Sequence, residues 1–320
     1  MPQDVTAQSQ PVGHAEEELN PGTRAPLVTG GGGFAGAHLI QQLAHAGRTP
    51  AAPARSELDL LDAEAVRRGV GQARPDAVFH LAAFSSPRRS WEHPDEVLLT
   101  NIQMTLNVLE AVRTQAPGAA LVLVGSGQAY GNAGLLPVTE EAPLEPLSPY
   151  AVSKAACDML GRQYAVAHAM HVVRLRPFNH AGPGQADEYV LGSLASQVAA
   201  AELRGASEAV LRTGDTASAR DFTDVRDVVR AYVLAAEAEA GAYNVCSGRR
   251  TTIGELIDLL DAEAHVPVRH EVDPQRLRTH DAGGICGSHG RLTAATGWKP
   301  EIPLEQTVRD TLAWWRRRLR

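Results

Sequence analysis

From residue 26 onward, short apolar runs alternate with stretches whose apolar residues recur at helical spacing. Pro26-Leu27-Val28-Thr29 reads as a strand, and the glycine-rich stretch Gly30 to Gly36 follows. Phe34, Leu39, Ile40 and Leu43 then mark the buried stripe of a first helix. Thr49 to Ala54 predicts a second strand ending in Arg55, and Ala63 to Ala73 a helix. Asp76 to Ala83 reads as a buried strand running into small residues. Leu98, Ile102, Leu106, Leu109 and Val112 define a long helix from about Glu96 to Thr114. Ala119 to Val124 is the next strand, Tyr150 to His168 the next helix, and His171 to Arg176 a fifth strand. Beyond Phe178 the grain changes. A loop over Asn179 to Gln185 precedes a helix from Asp187 to Arg204, a helix from Arg226 to Ala238 and a strand from Ala242 to Cys246. The chain ends in an amphipathic helix whose last turn carries Arg316, Arg317 and Arg318 at the negative pole of the helix dipole.

Strictly alternating strands and helices predict an α/β protein with a doubly wound parallel sheet, the Rossmann arrangement. The change of grain predicts a smaller C-terminal α/β unit. Residues 26–178 and 224–247 are assigned to the nucleotide-binding domain, and 179–223 and 248–320 to a substrate domain. Residues 1–25 are poor in large apolar side chains, lack the basic start and apolar stretch of a signal peptide, and read as a disordered tail.

Ligands of such sheets bind beyond the carboxyl ends of the strands. Gly30, Gly33 and Gly36, set between a first strand and a helix, have the spacing of a dinucleotide turn. They permit a tight bend, close approach of a pyrophosphate and close packing of helix on sheet. An arginine after the second strand suits a ribose 2′-phosphate, so Arg55 points to NADP(H) over NAD(H); Glu57, two residues on, pulls the other way. Asp59 either caps the following helix or meets an adenine. Ala82 and Ala83, small residues past a buried strand, let backbone lie against a cofactor. The glycine turn, Arg55, Ala82-Ala83, Ser126 and Pro177-Phe178-Asn179 all fall on this one edge. His80, inside its strand, reads as a core histidine.

Tyr150 and Lys154 are one helical turn apart and share a face. Ser148 suits an N-cap and Pro149 a first helical residue, which puts Tyr150 at the positive end of its helix. A phenol titrates near pH 10 in water. A neighbouring ammonium and the helix terminus both favour phenolate, so the spacing predicts a lowered pKa and an acid/base. Surface helices often carry such a pair as a packed ring and a solvated charge, and the surrounding motifs decide against that alternative here.

At 320 residues the chain is long enough for one large α/β domain or two joined ones. A net charge of −7 argues against nucleic-acid binding. Cys157, Cys246 and Cys286 have neither disulfide-framework nor metal-ligand spacing and read as reduced thiols in a cytoplasmic protein. No apolar run approaches the ~18 residues of a membrane span.

In order along the chain stand Thr29-Gly30…Gly33-Phe34-Ala35-Gly36, His80-Leu81-Ala82-Ala83, Ser126…Tyr130-Gly131, Tyr150…Lys154 and Arg220-Asp221-Phe222. From residue 26 to the end the chain thereby resembles the extended short-chain dehydrogenase/reductase family, in its nucleotide-sugar branch. Arg176-Pro177-Phe178-Asn179-His180, Gly182-Pro183-Gly184-Gln185 and Thr296-Gly297-Trp298-Lys299-Pro300 are most similar to its GDP-sugar reductases, with the 4,6-dehydratases near relatives. The resemblance implies NADPH-dependent reduction of the 4-keto group of a GDP-linked 4-keto-6-deoxy-hexose. A 4-epimerase or 4,6-dehydratase is the alternative, and a non-catalytic dinucleotide sensor a remote one. It implies Ser126, Tyr150 and Lys154 as catalytic residues. Gly30, Gly33, Phe34, Ala35, Arg55, Asp59, Leu60, Leu81, Ala82, Ala83, Tyr150, Lys154 and Phe178 would hold the cofactor. Ser85, Ser126, Gln128, Tyr150, Asn179, Arg220 and Arg278 would hold the substrate, Arg220 and Arg278 clamping its diphosphate unless Arg220 pairs with Asp221 or Asp224. A homodimer through paired long helices is also implied; a metal is not.

The sequence departs from the family at three places. Dehydratases use a carboxylate two residues after the serine to expel the 6-hydroxyl, and Gln128 stands there. An amide does not transfer protons near neutral pH, which argues for reduction without dehydration. The usual Arg-Pro-x-Glu stretch reads Arg278-Thr279-His280-Asp281, and Phe84 is bulkier than a substrate-facing residue, which suits packing.

Overall fold

The computed structural model describes residues 25–132, 137–276 and 284–320. The expected tail, except Ala25, and Arg278 therefore lie outside the described residues. The chain opens with β1 (Leu27–Thr29), α1 (Phe34–His45), α2 (Ala63–Ala73), β2 (Ala77–His80), α3 (Pro87–Glu92), α4 (Pro94–Gln115) and β3 (Ala120–Val124). It continues through α5 (Pro149–His168), β4 (Val172–Pro177), β5 (Asn179–Ala181), α6 (Val190–Leu203), β6 (Ala209–Thr213) and β7 (Ala219–Asp224). Then come α7 (Val225–Ala235), β8 (Gly241–Val245), β9 (Arg250–Thr252), α8 (Ile253–Glu263), β10 (Val268–Val272), α9 (Gly290–Thr296) and α10 (Leu304–Leu319).

β1, β2, β3, β4 and β8 lie side by side in that order, all parallel. Successive strand residues point to opposite faces, so each pair of neighbours feeds two cores. Val28, Phe79, Val122 and Val173 pack with Leu39 and Leu43 of α1 and Val228 and Tyr232 of α7. Their neighbours Leu27, Val78, Leu121 and Val172 pack with Val66 and Val70 of α2, Leu109 and Val112 of α4, and Tyr164 of α5. Helices on both faces are why the strands are apolar throughout. This is the doubly wound sheet that the alternation predicts.

The second strand expected over Thr49 to Ala54 shrinks to one parallel bridge between Ala51 and Leu27. Val28 N–H donates to the Ala51 carbonyl and Ala51 N–H to the Pro26 carbonyl, each at 2.8 Å. Pro50 and Pro53 carry no N–H, so the ladder stops on either side of Ala51. The bridge still places chain on the far side of β1, making β1 the point where the two windings diverge. Asp59 does not cap α2. Asp62 does, accepting from the Glu64 and Ala65 amides at 3.0 Å each, while Asp59 accepts from Leu61 N–H at 3.0 Å. α3 was not expected, although Ser86 at its N-cap followed by Pro87 is a helix-start signature. α6 begins at Val190, not Asp187, with Tyr189 as an N-cap that makes no side-chain cap bond.

Two smaller sheets, β5-β7-β9 and β10-β6, accompany a third core built on Leu194 and Val198 of α6, Leu256 and Leu260 of α8, and Val308 and Leu312 of α10. Arg316, in the last turn of α10, donates to Glu202 of α6 at 2.7 Å through two nitrogens. Among the described residues no helix is long and apolar enough to cross a membrane, and no cluster of side chains could hold a metal ion.

Candidate active site

At the glycine turn Gly30 has φ +77°, and a Cβ there would lie 2.7 Å from the Ala82 amide nitrogen. A Cβ on Gly36 would lie 2.1 Å from the Gly30 carbonyl oxygen. Both positions therefore need glycine, the first for its conformation and both for close approach. At Gly32 a Cβ would meet nothing within 4 Å, so the turn is open on that side. α1 starts behind Gly33 with no side-chain cap and no acid in its first turn. Ala37 N–H is the first to bond back, to the Gly33 carbonyl at 2.9 Å. The amides of Phe34, Ala35 and Gly36 stand at the positive end of the helix, a donor set that fits a pyrophosphate.

Arg55 is exposed just past the Ala51 bridge and has no ion-pair partner among the described residues. The Glu57 carboxylate accepts from the Ala54 amide at 2.7 Å within its own loop. Leu60 is buried, its carbonyl accepting from the Asn107 side chain at 2.8 Å. Leu81 N–H donates to the Thr29 carbonyl at 3.2 Å, which carries the chain to Ala82 and Ala83, half-buried on the cofactor edge beside Gly30.

Ser126 follows β3 and caps a 3-10 turn over Gly127–Tyr130, accepting from the Gln128 amide at 3.2 Å. Ser148 caps α5 as expected, its hydroxyl accepting from Ala151 N–H at 3.1 Å, with Pro149 in the first turn. That fixes Tyr150 at the start of α5, buried, with Ser126 nearby. The expected lowering of the phenol pKa is not observed. Burial pushes it up to about 12, and the Ser126 hydroxyl opposes this without overcoming it. Lys154 is itself buried, its Nζ donates to the Val124 carbonyl at 3.0 Å, and burial lowers its pKa. Helical spacing puts the two residues on one face, but desolvation of both outweighs their proximity. His80 is the core histidine expected: Nδ1 bonds Thr29 Oγ1 at 2.8 Å, and burial, then the Lys154 charge, drive its pKa down to about 3.

A buried link joins the segment after β2 to α5. Phe84 N–H donates to Asn101 Oδ1 at 2.8 Å, Asn101 Nδ2 donates to Ser153 Oγ at 3.0 Å, and Ser153 Oγ donates to the Tyr150 carbonyl at 2.7 Å. The Arg89 guanidinium lies over the Phe84 ring at 5.0 Å, in keeping with a packing role. Ser85 shares a 3.1 Å hydrogen bond with Tyr189. Phe178 is buried behind the Ser126 turn, where a Cβ on Gly127 would lie 2.9 Å from its ring. Asn179 opens β5, paired with Phe222 of β7. Arg220 Nη1 donates to Ser218 Oγ at 2.8 Å and the Ala219 carbonyl at 2.6 Å. Asp221 is held by Ser247 and the Gly248 and Gly287 amides, and Asp224 by Arg226 and Thr307, so both alternative partners of Arg220 are engaged elsewhere. Asn101, in the buried link to α5, and Tyr189, bonded to Ser85, are contacts that sequence reading misses. Asn101 lies inside an apolar helical pattern, and Tyr189 inside the helix expected from Asp187, which begins only at Val190.

A dinucleotide turn on a doubly wound sheet, with serine, tyrosine and lysine at its carboxyl edge, defines the extended short-chain dehydrogenase/reductase class. Residues 53–311 match the family described as GDP-mannose 4,6 dehydratase, and the chain belongs to that family. It is 40% identical over 304 residues to GDP-6-deoxy-D-mannose reductase of Pseudomonas aeruginosa, covering 93% of this chain and 99% of that protein. It is 27% identical to UDP-glucose 4-epimerase of Mycolicibacterium smegmatis over 91% of this chain and 98% of that one. Among solved structures, RMD from Pseudomonas aeruginosa complexed with NADPH superposes with a TM-score of 0.84 at 38% identity, covering 92% of this chain and all 100% of that one.

Proposed function

We propose that the protein reduces the 4-ketone of a GDP-linked 4-keto-6-deoxy-hexose to an alcohol, with NADPH as reductant. The observation that carries this reading is that Ser126, Tyr150 and Lys154 are all buried where β3 ends and α5 begins, Lys154 bonded to the last carbonyl of β3, with the amide of Gln128 where elimination of water would need a carboxylate. The 40% identity to a GDP-6-deoxy-D-mannose reductase supports the sugar and the base. Phe34 and Ala35 with Gly30 and Gly33 hold the pyrophosphate, Arg55 the 2′-phosphate, and Asp59 and Leu60 the adenine side. Leu81, Ala82, Ala83 and Phe178 wall the rest of the dinucleotide. When bound, the nicotinamide supplies the hydride. Tyr150 gives its proton to the carbonyl oxygen as the ketone is reduced, Ser126 hydrogen-bonds that oxygen, and negative charge does not build up there. Lys154 orients the cofactor ribose. Asn179, Arg220 and Arg278 hold the sugar diphosphate, charge-assisted bonds making the arginines a clamp. Residues 179–223 and 248–320 act as the substrate domain against the nucleotide-binding remainder.

Incubation with NADPH and a panel of 4-keto-6-deoxy nucleotide sugars, with NMR of the product, tests the reading; no NADPH oxidation by any GDP-linked member would end it. Arg55→Ala is expected to weaken NADPH binding roughly ten- to hundredfold, the cost of losing a hydrogen bond to a charged group. NADH binding should be unchanged, and titration of both dinucleotides by fluorescence separates the outcomes. The outer faces of α4 and α5 expose Leu99, Val152, Met159 and Val166, which a second copy of the chain covers in a homodimer; sedimentation equilibrium decides this. The three cysteines, all buried free thiols, suit the reducing cytoplasm.

A further inference from the structure

The helix that starts at the glycine turn is bonded to the loop that follows β5. His38 stands one turn into α1, and its Nε2 lies 2.8 Å from the Pro183 carbonyl oxygen, across 145 residues of sequence. A carbonyl oxygen only accepts, so this nitrogen carries the proton and donates it. One turn earlier, the Phe34 ring stacks on the His180 ring, centroids 5.8 Å apart and planes at 8°. The Phe34 and His38 rings meet edge to face, at 5.7 Å and 88°. β4 ends at Pro177 and β5 begins at Asn179, while β2 and β3 separate β4 from β1. These contacts therefore span the carboxyl edge of the sheet, from the strand that leads into the glycine turn to the one that leads into Asn179.

The two sides of this junction differ in how firmly the rest of the fold holds them. α1 is fixed by Leu39 and Leu43, both fully buried against the sheet. The loop runs Gly182-Pro183-Gly184 and has no large side chain to bury. Gln185 closes it: its Nε2 donates to the His180 carbonyl at 2.8 Å, and its N–H to the Gly182 carbonyl at 3.2 Å. Loss of the Pro183 bond would therefore release the loop and leave α1 in place. Gln185 would pass the displacement to His180, and so to its neighbour Asn179. We propose that His38, although it stands on the helix of the dinucleotide turn, is a positioning residue for the sugar nucleotide. Through Pro183 it holds the loop that sets Asn179.

This inference rests on the reductase reading above, which puts Asn179 on the sugar diphosphate, and one experiment separates the two. The wild-type protein, His38→Ala and His38→Gln are assayed with NADPH and the GDP-linked 4-keto-6-deoxy-hexose, and NADPH binding is titrated by fluorescence. Alanine and glutamine both suit a helix interior, and both remove the ring that meets Phe34. Only glutamine keeps an N–H donor at similar reach. His38→Ala is expected to raise KM for the sugar nucleotide about three- to tenfold, the scale of one lost neutral hydrogen bond. The Kd for NADPH should stay within about twofold of wild type, and His38→Gln should recover most of the lost KM. An unchanged KM in His38→Ala would overturn the proposal, as would an equal rise in both variants, which would put the effect in ring packing. A loss of NADPH affinity matching the rise in KM would overturn it too, since His38 would then serve α1 itself. All three outcomes leave the reductase reading intact. A wild-type protein that bound NADPH but reduced no GDP-linked sugar would overturn both.

Discussion

Tyr150→Phe is expected to lower kcat for ketone reduction by about a thousandfold, within the range that a positioned general acid contributes. Dinucleotide binding, followed by quenching of cofactor fluorescence, should be unchanged. The substitution removes one hydroxyl and leaves the ring, which is buried at the start of α5. It therefore tests the proton and not the packing. The pH dependence follows from the direction of the pKa shift. Proton donation needs the protonated phenol, and burial raises its pKa to about 12 in the free protein, so Tyr150 stays protonated throughout the neutral range. Reduction should accordingly show no alkaline limb from Tyr150 between about pH 6 and 9, losing rate only as the pH rises toward the phenol pKa. The oxidative direction needs phenolate and should quicken with rising pH over the same interval. A variant that kept more than a tenth of the wild-type turnover would remove Tyr150 as the donor.

Features fixed by neighbouring residues were legible in the sequence. Ser148, Pro149 and the four-residue step from Tyr150 to Lys154 describe a cap, a helix start and a shared face, and all three are as expected. The glycine turn was legible for the same reason, since Gly30 and Gly36 answer to contacts within a few residues or with the adjoining strand. The phenol pKa was misjudged because helical spacing reports proximity of charge but says nothing about solvent. Both partners turn out to be buried, and Lys154 directs its ammonium to the end of β3. The second strand was overextended because the apolar pattern around Ala51 outweighed two prolines whose missing N–H groups stop a ladder. Asp59 and Asp62 are both plausible caps by type, and only the path of the chain chooses Asp62. The Ser85–Tyr189 contact lay beyond reach of local reasoning altogether, since the fold brings the two together across 104 residues of sequence.

The second large effect concerns stability. Asp158 lies one turn beyond Lys154 on α5, is 3% exposed, and accepts from Arg174 Nη1 at 2.7 Å and from Arg176 Nε and Nη2 at 2.8 and 3.0 Å. Arg176 also donates to the Tyr130 hydroxyl at 2.7 Å, which donates to Asn244 Oδ1 at 2.8 Å. One carboxylate thus joins α5 to β4, to the turn that begins at Ser126 and to β8. Burial works against the charge of Arg176, and the Asp158 bonds outweigh it, raising the guanidinium pKa. Asp158→Ala strands two guanidiniums in a dry environment, and breaking a buried pair in this way costs about 3–5 kcal/mol. The urea midpoint should fall accordingly, with little change in the slope of the transition. Asp158→Ala combined with Arg176→Met removes the stranded charge at its most buried point and should recover part of the loss, because apolar replacement of a buried ion pair is often close to neutral. If the double variant were less stable than Asp158→Ala alone, the cost would lie in the Arg176–Tyr130–Asn244 bonds and not in the unpaired charge. Reductase activity should follow stability in both variants, since the helix that Asp158 anchors carries Tyr150 and Lys154.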